Sequence, residues 1–162
     1  LQKQAHCVST MTYNEYWQII DAGIPAGELN VFKYEDQGVA TLEDGLYVLE
    51  KSLKDAKMAD KLARFVKASM KGWQYAMDNV NEAAGIVLEN DSSGAQTEKH
   101  QRRMMGEIAK LIAGSSKGLG YLEPADYERT VAVLLSSKSD PVITKKPSGA
   151  WTHDVWNKAM GM

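Results

Sequence analysis

A chain of 162 residues, 44% of them hydrophobic and 25% charged, is long enough to bury a core and too apolar for intrinsic disorder. Its 19 basic and 21 acidic residues leave a formal charge of -2. That excludes a strong field drawing the chain onto nucleic acid or an anionic membrane, and leaves small neutral or amphoteric partners open.

No window approaches the roughly 20 consecutive apolar residues of a membrane span. The opening "LQKQAHCV" has neither a basic n-region nor an apolar h-region, so a secretory signal is either absent or upstream of it. Cys7 stands alone, which excludes an internal disulfide. His6, His100 and His153 are scattered and there is no CxxC, so no metal site is expected.

In chain order, residues 5–11 mix small, β-branched and sulfur side chains and predict a strand. "TYNE" at 12–15 has capping-box spacing: Thr12 can accept from the Glu15 amide while the Glu15 carboxylate reaches back. A short helix to about Ala22 follows, stopped by Gly23 and Pro25. "ELNVFKY" at 28–34 and "GLYVLE" at 45–50 predict a second and a third strand.

From about Lys57 to Asn79, Met58, Leu62, Phe65, Val66, Ser69, Trp73, Ala76 and Met77 recur at helical spacing, with Lys and Asp on the other side. This predicts one long amphipathic helix, a break near 78–80, and a second helix through Val87 and Leu88. "NDSSG" at 90–94 reads as a loop. A third helix over about 95–113 carries Met104, Met105, Ile108, Leu111 and Ile112. A fourth starts at "EPAD", with Pro124 suited to the first turn, and uses Tyr127, Val131 and Leu134. Residues 136–149 read as a loop, and "WTHDVWNKAM" as a last short helix capped by Thr152. The fold class expected is α/β and helix-rich with few strands. Three strands are too few for a complete doubly wound sheet, so the sheet is small and one-sided or has its partner strands elsewhere.

The sequence has no GxSxG, HExxH, GxxxxGK[ST] or GxGxxG. "SKGLGYL" at 116–122 has glycines at the wrong spacing for a phosphate loop. His100, between Glu98 and Arg102 on a helix with no second ligand at helical spacing, reads as solvated or capping. His6 and Cys7 are adjacent on a predicted strand and would point to opposite faces, which argues against a nucleophile and base. Met104 and Met105 read as core filler. Tyr13, Tyr16 and Trp17 cluster around Asn14 and Glu15 where a strand end enters a helix, a usual place for ligands in α/β sheets. Aromatic rings beside an amide and a carboxylate suit a flat heterocycle with amino groups. The alternative is that Trp17 and Ile20 simply face the sheet.

"GVATLEDGLYVLEKSLKD" at 38–55, "ADKLARFVKASMKGWQYAMDNVNEAAGIV" at 59–87 and "YLEPADYERTV" at 121–131 together carry a resemblance. The chain resembles the ABC-transporter substrate-binding proteins of the thiamine-pyrimidine-precursor and sulfonate/nitrate group, over nearly all of its length but only the C-terminal half of such a protein. The resemblance implies a type II periplasmic-binding fold, with two α/β lobes closing on a small solute. On that map residues 1–30 finish lobe two, 31–38 form the return crossover with Gly38 as hinge, and 39–162 complete lobe one. It places Glu43 and Asp44 at the cleft mouth as acceptors for an aminopyrimidine, against the plain reading of a solvated turn. Tyr13, Asn14 and Glu15 match the family's aromatic-Asn-Glu segment loosely.

The implied partners are a small-molecule solute and the membrane permease of an importer, in a periplasmic or extracytoplasmic setting, with no cofactor and no chemistry. A homodimer through unpaired strand edges is a further expectation. A synthase branch of the same superfamily has a run of cysteines after the matching glycine. Here that run reads "VATLE", which disfavours an enzyme. The other alternative is a helical protein-interaction module.

Overall fold

The structure is a computed structural model that describes residues 4–137, 139 and 141–162. Lys138 and Asp140 of the predicted 136–149 loop lie outside the described residues. Among the described residues the regular elements are helical: α1 (Glu15–Asp21), a single 3-10 turn (Ala26–Glu28), α2 (Glu50–Lys54), α3 (Ala56–Asp78), α4 (Val80–Glu89), α5 (Glu98–Ala113), α6 (Pro124–Ser136) and α7 (Asp154–Met160).

The three expected strands do not form a ladder among these residues. Residues 5–11 are irregular, 28–34 run from the 3-10 turn into a turn, and 45–49 lead directly into α2. A strand is a pairing between two segments, so an alternating pattern with no facing partner yields none. The apolar side chains of that pattern stay exposed: Phe32 at 71%, Leu46 at 63% and Tyr47 at 85%.

Two compact units divide the described chain. The first draws on Leu1–Asn30 and Met70–Leu119. In it α4 packs along α5, and Ala84, Met105, His100 and Gln101 are buried. α5 begins at Thr97, whose hydroxyl accepts from the His100 amide at 3.3 Å and satisfies one of the orphan donors of the first turn. The break between α3 and α4 falls at Asn79, with φ -134° and ψ 53°, outside the helical region. The α1 entry differs from the capping box expected. Asn14 rather than Thr12 is the N-cap residue, and the Glu15 carboxylate reaches back to the Met11 amide, at 2.8 Å.

The second unit comprises Val31–Ser69 and Gly120–Met162. Ala63, Val131 and Ala159 are its buried apolar residues. A Lys158–Asp60 ion pair at 3.3 Å links α7 to α3. The irregular segment ahead of α2 is strapped to α6: Thr130 Oγ1 accepts from the Leu42 amide at 2.8 Å, and Arg129 Nε donates to the Ala40 carbonyl at 2.9 Å. Pro124 occupies the first turn of α6, where its missing N–H costs nothing. The Thr152 hydroxyl accepts from the Asp154 amide at 3.1 Å, while the N-cap position itself falls on His153.

Candidate functional site

Asn14 is the centre of the first unit's polar cluster. Its Nδ2 donates to Glu15 Oε1 at 3.2 Å, and Oδ1 accepts from Gln18 Nε2, one turn along α1, at 3.0 Å. His100 Nε2 lies 2.8 Å from the same Oδ1. A carboxylate only accepts, so the amide nitrogen must face Glu15 and the oxygen must face His100. His100 Nε2 therefore carries a proton and donates. Glu15 completes the chain by accepting the Met11 amide through Oε2.

The expectation of a solvated or capping His100 is corrected here, since the residue is only 8% exposed and its ring meets the Asn14 side chain. The signal was present in the sequence. His100 precedes Met104 and Ile108 by four and eight positions, so it continues the apolar stripe of α5. Its charged neighbours Glu98 and Arg102 pair with each other on the exposed side.

A second cluster flanks the first. Asp21, at the end of α1, accepts Lys99 Nζ at 2.9 Å and Arg103 Nη1 at 2.8 Å, both from α5. The Arg103 guanidinium also lies over the Trp17 ring, 4.8 Å from its centroid, and Tyr16 meets Trp17 edge-on at 5.2 Å. Trp17 is thus flanked by Arg103 and Tyr16, and among the described residues no sheet lies behind it. Its indole N–H is buried without a partner.

The Lys99 hydrogen bond, reinforced by Arg103 and opposed by partial burial, holds the Asp21 carboxyl below its ordinary range. A carboxyl depressed in the folded state stabilises the fold above its unfolded value of about 3.9, and that contribution is lost as pH falls through the folded value. Asp21→Asn is therefore expected to lower the melting temperature at pH 7, with the difference from wild type closing below about pH 4. Parallel melting curves from pH 7 to pH 2 check this, and a gap that persists in acid would refute it. Asp60, lowered chiefly by its Lys158 hydrogen bond, follows the same rule in the second unit.

Tyr13 is half-buried beside Asn14 in the turn entering α1. Glu43 and Asp44 belong to the second unit and are exposed on its irregular segment. Gly38 ends a turn in which the Val39 amide donates to the Tyr34 carbonyl at 3.0 Å, and its φ of 71° is one that a side chain disfavours. His6 and Cys7 are both exposed. No group of three or more His, Cys, Asp or Glu residues could hold a metal among the described residues.

An aromatic cluster in the second unit has no local signature in the sequence, because its rings come from separate segments. His153 stacks on Tyr121 at 4.3 Å and 20°, Trp151 approaches the same imidazole at 4.7 Å, and Trp156 meets Tyr121 edge-on at 5.0 Å. His153 Nε2 donates to the Leu122 carbonyl at 2.7 Å, which ties the start of α7 to the segment before α6. The imidazole touches both Tyr121 and Trp151, so the cluster ties together the segments before α6 and α7. A shallow depression at the α3–α4 junction, lined by Asp78, Asn79, Val80, Asn81 and Glu82, comes from one continuous stretch and gathers no groups from other elements.

Among known proteins, no curated protein and no solved structure matches this chain. A protein-family profile does match, described as "NMT1/THI5 like" and covering residues 1–83. Tyr13, Asn14, Glu15, Gly38, Glu43 and Asp44 all fall inside the match, whereas "YLEPADYERTV" lies beyond it. The matched span is just over half of the 162 residues, and the chain belongs to the NMT1/THI5-like family.

Proposed function

We propose that this chain is part of a substrate-binding protein of an ABC importer, which captures a thiamine pyrimidine precursor or a similar nitrogen or sulfur compound without chemistry. Family membership supports solute binding of this general kind. The observation that carries the finer reading is the Asn14–Glu15 pair. An amide NH2 has two protons and the Glu15 bond uses one, while each Glu15 oxygen accepts one bond and has room for another. A donor beside an anionic acceptor complements the ring nitrogen and amino group of an aminopyrimidine, and the charged acceptor strengthens the bond.

Tyr13 supplies an aromatic face beside this pair; Glu43 and Asp44 are separate candidate acceptors within the second unit, and the fold proposed is the two-lobed type II kind with Gly38 as hinge. The setting is extracytoplasmic and the partners are the solute and the importer's permease. "VATLE" after Gly38, without cysteines, favours capture over synthesis.

A thermal-shift screen against 4-amino-5-hydroxymethyl-2-methylpyrimidine, taurine, nitrate and riboflavin tests it. A ligand present at 100 times its Kd stabilises the native state by about 2.7 kcal/mol. The expected result is a raised melting temperature with the aminopyrimidine, with the rise reduced in Glu15→Ala. No shift with any compound would overturn the proposal.

A further inference from the structure

We propose that the Asp44–Gly45 dipeptide is a site of self-modification, at which the folded chain converts Asp44 to isoaspartate through a cyclic imide. The inference does not depend on the solute-binding reading, because it rests on how the fold treats this dipeptide and three others like it.

The step needs only water. The Gly45 backbone nitrogen attacks Cγ of the protonated Asp44 carboxyl, a new C–N bond closes a five-membered imide, and the carboxyl hydroxyl leaves with the amide proton as water. Water then adds to one of the two imide carbonyls. Opening at Cγ restores aspartate. Opening at the backbone carbonyl leaves Gly45 joined through Cγ, which lengthens the main chain by one methylene and frees the α-carboxylate; nothing is oxidised or reduced. An ionised carboxylate is a poor electrophile, a carboxylate held by other donors cannot turn toward the next nitrogen, and a Cβ on the next residue obstructs the approach. Glycine removes that last obstacle.

Four aspartates precede a small residue: Asp21–Ala22, Asp44–Gly45, Asp55–Ala56 and Asp91–Ser92. The fold restrains three of them. Asp21 accepts Lys99 through one oxygen and Arg103 through the other, and the Ala22 amide donates to the Gln18 carbonyl at 3.0 Å. Asp55 Oδ1 accepts the Lys57 and Met58 amides at 2.8 and 3.1 Å, where the chain enters α3. Asp91 closes a turn in which Oδ1 accepts the Ser93 amide at 2.9 Å and Oδ2 the Gln96 amide at 3.0 Å. The Lys99 hydrogen bond lowers the Asp21 pKa and the Ser93 hydroxyl lowers that of Asp91, so both are kept in the unreactive ionised form. Asp44 and Gly45 are different: both are exposed on irregular backbone, and neither makes a hydrogen bond or ion pair among the described residues. Asp44 thus combines a free carboxyl, a free neighbouring amide and a neighbour without a Cβ.

The test incubates the full chain at physiological temperature in mildly acidic buffer, as wild type, Gly45→Val and Asp44→Glu, each with and without urea. Peptide mapping with electron-transfer fragmentation separates isoaspartate from aspartate and detects the imide as a species lighter by one water. A Cβ at Gly45 would lie 3.3 Å from the Tyr47 hydroxyl, and that side chain, 85% exposed, is free to move aside, so Gly45→Val is accommodated. In the folded wild type isoaspartate is expected at Asp44 at least tenfold faster than at Asp21, Asp55 or Asp91. The branched side chain of Gly45→Val is expected to slow it roughly tenfold. Asp44→Glu, which would have to close a six-membered ring, is expected to leave no isomer there. In urea the Asp91 rate is expected to rise toward that of Asp44 as its turn is lost. Equal conversion of Asp44 and Asp91 in the folded chain would overturn the proposal, and so would a Gly45→Val protein that converts like wild type. A preference for Asp44 left unchanged by urea would overturn the role given to the fold.

Discussion

Val131→Asp is expected to unfold the second unit at neutral pH. Val131 is 4% exposed on the inner face of α6, and it is the largest of that unit's three buried apolar residues, the others being Ala63 and Ala159. A carboxylate at this position loses its hydration with no cation provided for it, at a cost of several kcal/mol, against a total stability of about 5–15 kcal/mol for an ordinary domain. Val131→Ala deletes only two methyl groups and is expected to cost roughly 1.5 kcal/mol. It thereby separates lost burial from a buried charge. Urea unfolding followed by far-UV circular dichroism reads the overall loss. The ring-current shift of His153, stacked on Tyr121, reports on the second unit specifically. A Val131→Asp protein that kept that shift and melted like wild type would show that the inner face of α6 is not a core.

Where local chemistry decided the structure, the sequence was sufficient. The 3.6-residue period places a helix over 57–79 and the structure has one at Ala56–Asp78; the break at Asn79 and the Pro124 start of α6 were equally legible. These features depend on residues within a few positions of one another. The strands at 5–11, 28–34 and 45–50 failed because a strand depends on a second segment. With no ladder among the described residues, Glu50–Lys54 becomes α2 instead. The α1 entry failed by two residues, since Thr12 and Asn14 are both good cap residues and spacing to Glu15 alone favoured the wrong one.

The candidate site divides along the same line. Tyr13, Asn14 and Glu15 are neighbours in sequence, and their donor and acceptor chemistry can be read there. That Asn14 meets His100, or that Asp21 gathers Lys99 and Arg103, depends on side chains at the two ends of α1 reaching α5, which lies far away in sequence. Sequence periodicity could have shown that His100 faces inward, but no local pattern names its partner.

Asn14→Ala is expected to destabilise the first unit by about 1–3 kcal/mol, because it leaves the buried His100 N–H without its acceptor. The cost comes from the partner left behind more than from the bond removed. His100→Leu supplies the control: it takes away the donor and leaves a half-buried Asn14 oxygen that still accepts from Gln18. Removing both partners together can be close to neutral, since no buried polar group is then orphaned. In the His100→Leu background Asn14→Ala should therefore cost less than in wild type, by about 1 kcal/mol or more of coupling. Urea denaturation of the four proteins in this cycle measures it. Additive losses would mean that the two side chains do not depend on each other, whatever their separation. Measured coupling would show that α1 and α5 are joined through a hydrogen bond whose removal from one side alone is the more damaging change.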